Sequence, residues 1–91
     1  MERVVRVVPE AGLHARPASQ FVETANRYDA EVRVGPAGSD DLVDARSMLG
    51  VTGLGIAHDE AVRLVADGED AETALDALEA VLTTPEGADA E

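Results

Sequence analysis

The stretch Glu31-Val32-Arg33-Val34-Gly35-Pro36-Ala37-Gly38-Ser39-Asp40-Asp41-Leu42-Val43-Asp44-Ala45 decides the fold. Glu31 to Val34 alternates polar and apolar side chains, as a half-buried strand does. Gly35 to Asp40 is a cluster of turn residues, and Leu42 to Ala45 reads as a short return strand, so the whole predicts an antiparallel hairpin. Upstream, Arg3 to Val8 is rich in β-branched residues and stops at Pro9, which predicts a strand. Between them Ala18, Phe21, Val22 and Ala25 recur at i, i+3, i+4 and i+7, the spacing of one buried helical face. Pro17 fits the first turn, where its missing N–H costs nothing, so a helix is expected from about Arg16 to Asn26.

Downstream, Ser47 to Thr52 predicts a helix of one to two turns, capped by Ser47 and ended by Gly53. A break at Gly53-Leu54-Gly55 precedes β-type residues from Ala61 to Ala66. From Asp70 to Thr83, Ala71, Ala74, Leu75, Leu78 and Leu82 form an apolar stripe, with Glu72, Asp76 and Glu79 outside it. Glu69, Asp70 and Glu72 lie at the start, where the helix dipole favours negative charge. The order βαββαβα, with its hairpin between helices, implies an α+β split βαβ architecture: an antiparallel sheet with helices on one face. Residues 1–83 are expected to form a single domain, and 84–91 a polar, acidic, disordered tail.

The chain has 91 residues, no cysteine, and a net charge of −12 from seven basic and nineteen acidic residues. All seven basic residues are arginine. Such a surface repels phosphodiester backbones, which excludes general nucleic-acid binding. The apolar runs are too short to insert into a membrane. Without cysteine there is no disulfide, thiol catalysis or thiolate-bound metal, which fits a cytoplasmic chain. One Tyr, one Phe and no Trp leave no aromatic stacking platform. The excess of Asp and Glu with no Lys reads either as a surface adapted to molar salt, where screening removes self-repulsion, or as a coding bias towards Arg, Ala, Val, Gly and Asp.

One segment carries chemistry: Gly12-Leu13-His14-Ala15-Arg16-Pro17-Ala18 places a histidine just before a helix. Free N–H groups at a helix start and the helix dipole attract anions. Arg16 offers a planar fork of donors to phosphate oxygens. Neutral imidazole is a nucleophile near pH 7. His14 is thus a candidate phosphoryl acceptor and Arg16 its anion-holding partner, with Gly12 allowing close backbone approach. The plain alternative is a capping or surface histidine. A metal site joining His14 and His58 lacks further ligands, and no metal or cofactor is expected.

This segment resembles the active-site signature of the HPr family, the histidine-containing phosphocarriers of the phosphoenolpyruvate-dependent sugar phosphotransferase system. Asp44-Ala45-Arg46-Ser47-Met48-Leu49-Gly50-Val51 resembles the family's second signature, and the likeness spans roughly residues 2 to 83. The resemblance implies an open-faced β-sandwich, with three helices on one face of a four-stranded antiparallel sheet. It implies that His14 accepts phosphate through Nδ1 from enzyme I and passes it to an enzyme IIA domain, so that the chain is a carrier and not an enzyme. It further implies that Arg16 stabilises the phosphate and that Ser47 is a regulatory phosphorylation site. A partner surface of Ala15, Arg16, Ser19, Gln20, Met48, Leu49, Val51 and Thr52 would face an acidic patch on enzyme I. A monomer is implied as well. Arg46, where many relatives have Lys, and Gly50, in place of a longer residue, depart from the pattern around Ser47. Two other functions compete. A regulatory HPr-like protein controlling transcription or metabolic enzymes characteristically lacks the histidine present here as His14. An acyl carrier would be all-helical, with its serine following Asp, whereas Ser47 follows Arg46.

Overall fold

Alternation and helical periodicity arrange the chain as β1 (Glu2–Arg6), α1 (Ala15–Ala25), β2 (Glu31–Pro36), β3 (Val43–Asp44), α2 (Met48–Gly53), β4 (Ala61–Asp67) and α3 (Ala71–Thr83) in the computed structural model, which describes residues 1–85. The four strands form one antiparallel sheet in the order β1-β4-β2-β3. β4 is central, pairing Val5 with Val62 on one side and Val34 with Leu64 on the other. Period-two alternation puts Val5, Val32, Val34, Val62, Leu64 and Ala66 on the covered face. Onto them α1 lays Ala18, Phe21 and Ala25, and α3 lays Ala74, Leu75, Leu78 and Leu82, all buried. The opposite face, with Glu2, Val4, Arg6 and Arg33, lies open.

The expected order of elements and the hairpin stand, but several boundaries differ. β2 does not turn at Gly35: it continues through Pro36, with Gly35 opposite Arg63 and Pro36 opposite Val62. Glycine is needed there because a side-chain carbon would lie 2.4 Å from the Asp41 carbonyl oxygen, where the return strand crosses closely. Pro36 is tolerated as the last residue of its strand. β1 leaves the ladder after Arg6, because Val8 N–H donates instead to the Leu82 carbonyl of α3 at 2.8 Å. Gly53 is the last residue of α2 and does not end it in a left-handed turn; Gly55, at φ +67°, takes that conformation. Asp70 caps α3 without a side-chain bond of its own. Its carboxylate instead accepts the N–H groups of Asp29 and Ala30, at 2.9 and 2.8 Å, tying the α1–β2 connection to the start of α3. Of the expected tail, residues 86–91 lie outside the described residues.

Candidate functional site

His14 is the N-cap of α1, in an extended conformation (φ −137°, ψ 170°). Its carbonyl accepts the Ala18 N–H at 3.3 Å, closing the first turn, while its imidazole makes no cap hydrogen bond and is half-buried. Pro17 has no N–H, so the donors left at the mouth of the helix are those of Ala15 and Arg16, which bond no partner among the described residues. Ala15 is one of two non-glycine residues at positive φ among the described residues, here +50°. A left-handed alanine is strained, so the strain sits on the residue between the candidate nucleophile and Arg16. The Arg16 side chain is exposed.

What holds His14 in place is the loop before it. Leu13 is buried, and its N–H donates to the Ile56 carbonyl at 3.0 Å. Gly12 stands at φ +75°, and a side-chain carbon on it would fall 2.4 Å from the Ile56 oxygen and 2.9 Å from the Ala57 Cα. Gly12 thus lets two protein backbones touch, which is a different reason from the approach to phosphate that the motif suggested. On the far side Asp59 N–H donates to Val7 O, and His58 Nδ1–H to the Val8 carbonyl, both at 2.8 Å. His58 is therefore a fastener between the loops flanking the sheet, and no group of metal-binding side chains occurs among the described residues.

The second motif is the N-terminus of α2. Ser47 is the N-cap, and its Oγ accepts the Gly50 N–H at 3.0 Å, as its position predicted. The Arg46 guanidinium turns away from Ser47 and donates to the Tyr28 and Ala30 carbonyls. Leu49 is 86% exposed and Met48 41%. The Thr52 hydroxyl donates back to the Met48 carbonyl at 2.8 Å. Val51 needs correction as a partner-surface residue: it is completely buried, because it is the apolar residue with which so short a helix anchors itself to the core. α1 packs beside α2 and presents Ala15, Arg16 and Ser19 as exposed residues, with Gln20 half-buried. The loop Ile56–Glu60, which fixes Gly12 and Leu13, was missed as part of the site, since no sequence signal ties it to residues some forty positions earlier. Ala15 was likewise invisible as a strained position, because alanine carries no left-handed preference.

The profile of the PTS HPr component phosphorylation site family matches residues 1–84. A phosphocarrier protein HPr of Haloferax volcanii is 72% identical over 86 residues, covering 94% of this chain and 97% of that protein. Among solved structures, a phosphocarrier protein HPr from Bacillus anthracis str. Ames superposes with a TM-score of 0.83 at 36% identity, covering 90% of this chain and 95% of the other. HPr-C-His from Thermoanaerobacter tengcongensis gives 0.84 at 34% identity, with 92% of each chain covered. Fold, motif and family match together define a phosphoryl carrier. The chain belongs to the HPr family, the phosphocarriers of the phosphotransferase system.

Proposed function

We propose that His14 is the residue that carries the phosphoryl group, received from phosphorylated enzyme I and delivered to an enzyme IIA domain. The observation that carries this reading is the placement of His14 at the N-cap of α1, with its imidazole committed to no cap hydrogen bond. In the first transfer a lone pair on neutral Nδ1 forms the N–P bond as the donor's bond to phosphorus breaks, and the second transfer runs the same exchange outward. The incoming oxygens meet the Ala15 and Arg16 N–H groups and the Arg16 guanidinium, where helix dipole and side-chain charge have the same sign.

The chain is on this reading a covalent intermediate and not a catalyst, needs no cofactor or metal, and works as a cytoplasmic monomer formed by residues 1–83. Ala15, Arg16, Ser19, Gln20, Met48, Leu49 and Thr52 form the partner surface, and Ser47 is the residue at which a kinase would regulate docking. Among the described residues no helix is long and apolar enough to cross a membrane. The Haloferax volcanii relative supports reading the acidic surface as one adapted to salt. The regulatory reading is disfavoured by the presence of His14.

The test is intact mass after incubation with phosphoenolpyruvate and enzyme I. One phosphate should be gained by the wild type and none by His14→Ala, and the adduct should be labile to acid and stable to alkali. An acid-stable product, or the same mass gain in His14→Ala, overturns the assignment.

A further inference from the structure

Ala57-His58-Asp59-Glu60 is a turn on the way from α2 into β4. A turn of this length is closed by one bond, from the fourth residue's N–H to the first residue's carbonyl, and Glu60 N–H donates to the Ala57 carbonyl at 3.1 Å. Here a second bond runs the other way: Ala57 N–H donates to Glu60 Oε1 at 2.7 Å. A charge-assisted bond of that length belongs to the stronger class. The nitrogen it holds is half of the Ile56–Ala57 peptide, whose other half, the Ile56 carbonyl, accepts Leu13 N–H at 3.0 Å. A side-chain carbon on Gly12 would meet the same peptide, 2.4 Å from Ile56 O and 2.9 Å from Ala57 Cα. One peptide unit thus supports both residues that precede His14, and a carboxylate grips it from behind.

A trans peptide is planar, so its N–H and C=O point in opposite directions and one cannot turn without the other. Fixing the Ala57 N–H on a carboxylate therefore fixes the direction in which Ile56 O faces Leu13. The carboxylate also polarises the peptide, which strengthens the bond from Leu13. His14 follows Leu13 directly and its imidazole makes no cap hydrogen bond, so the backbone that carries the ring sets where it stands. Resting on the reading of His14 as phosphoryl acceptor, we propose that Glu60 is a positioning residue for phosphoryl transfer. Through the Ile56–Ala57 peptide its carboxylate holds Leu13, and with it the imidazole of His14, in the geometry of attack. Glu60 is not among the residues of the proposed partner surface, so it acts on the transfer step and not on docking.

The experiment measures phosphoryl transfer from enzyme I with this chain as the varied substrate, comparing wild type, Glu60→Ala and Glu60→Gln well below their melting temperatures. Small misplacements of a reacting group are costly, so Glu60→Ala should lower kcat about tenfold or more with KM nearly unchanged. Glu60→Gln loses the same charge but keeps an oxygen that can accept the Ala57 N–H, and should recover most of the wild-type kcat. Hydrogen exchange at the Leu13 amide, followed by NMR without any phosphoryl donor, should quicken in Glu60→Ala and stay close to wild type in Glu60→Gln. A wild-type kcat in Glu60→Ala, whatever its melting temperature, reduces Glu60 to a structural residue and overturns the inference. A loss confined to KM overturns it too, as does a Glu60→Gln variant as slow as Glu60→Ala. Leu13 exchange that is the same in all three chains refutes the link from Glu60 to the loop, whereas a wild type that gains no phosphate on His14 refutes the acceptor assignment itself.

Discussion

Replacing Gly12 by alanine tests whether the loop before His14 is held by backbone contact. The left-handed conformation at φ +75° costs an alanine about 1–2 kcal/mol. The added carbon would sit 2.4 Å from the Ile56 carbonyl oxygen, and since that atom is backbone, it must move. Moving it breaks the bond from Leu13 N–H, a loss of about 0.5–1.5 kcal/mol, more if the buried N–H finds no water. The sum is about 1.5–3.5 kcal/mol, which in a domain of this size lowers the melting temperature by roughly 6–28 °C. Gly38→Ala is the control, because nothing lies within 4 Å of the position its side chain would take. Thermal unfolding followed by circular dichroism at fixed salt reads both variants. The reasoning is refuted if Gly12→Ala melts within about 2 °C of wild type, or if Gly38→Ala falls as far.

Arg16→Gln should leave the melting temperature unchanged and slow phosphoryl transfer roughly tenfold to a hundredfold, the worth of a charge-assisted contact of about 1.5–3 kcal/mol; stopped-flow or quench-flow transfer checks it. Asp70→Ala should destabilise by about 1–2 kcal/mol, since it removes the acceptor for the Asp29 and Ala30 N–H groups, and urea unfolding measures the loss. Raising KCl from about 0.01 to 1 M shortens the Debye length from about 30 to 3 Å and should raise the melting temperature of a chain with net charge −12; a salt-independent midpoint would trace the acidity to coding bias. Ser47→Asp should keep α2, because a carboxylate can still accept the Gly50 N–H, yet weaken transfer from enzyme I by placing a charge beside Met48 and Leu49; transfer kinetics alongside a melt separate the two effects.

The elements were legible because each obeys a period: β1, β2 and β4 repeat every two residues, and α1 and α3 hold apolar stripes. What escaped depends on contacts distant in sequence. Gly35-Pro36 carries turn chemistry, yet β4 holds it extended, and local propensity cannot register that pairing. Asp70 looked like a dipole partner for its own helix, but its bonds go forty and forty-one residues back. Val51 was indistinguishable from Leu49 in sequence, since both are apolar residues of one short helix; only the direction of the core separates them. His14 and Ser47 were legible in the sequence as residues at helix starts, whereas the loop that fixes the first of them was not. Its anchor for Leu13 is Ile56, whose contribution is a carbonyl oxygen and therefore independent of its side chain.

The form of the site suits a group that must be handed on. Every additional 1.4 kcal/mol of grip on a phosphoryl group bound to His14 would favour its retention tenfold over release. Strong holding would call for buried charge and several converging donors, as in sites that stabilise one state against all others. Here the two backbone donors stand at an exposed helix mouth and the one guanidinium, that of Arg16, lies in solvent, where salt screens it. Rigidity is spent on position: Leu13 is buried, Gly12 is wedged against Ile56, and the Val7–Val8 end of the loop is bonded to His58 and Asp59. Orientation lowers the barrier to transfer in both directions alike, because it acts on the geometry of attack and not on the depth of the bound state. On the proposed reading, a histidine so placed under a weak anion grip would exchange phosphate quickly without trapping it, and selectivity would fall to the protein that docks on α1 and α2.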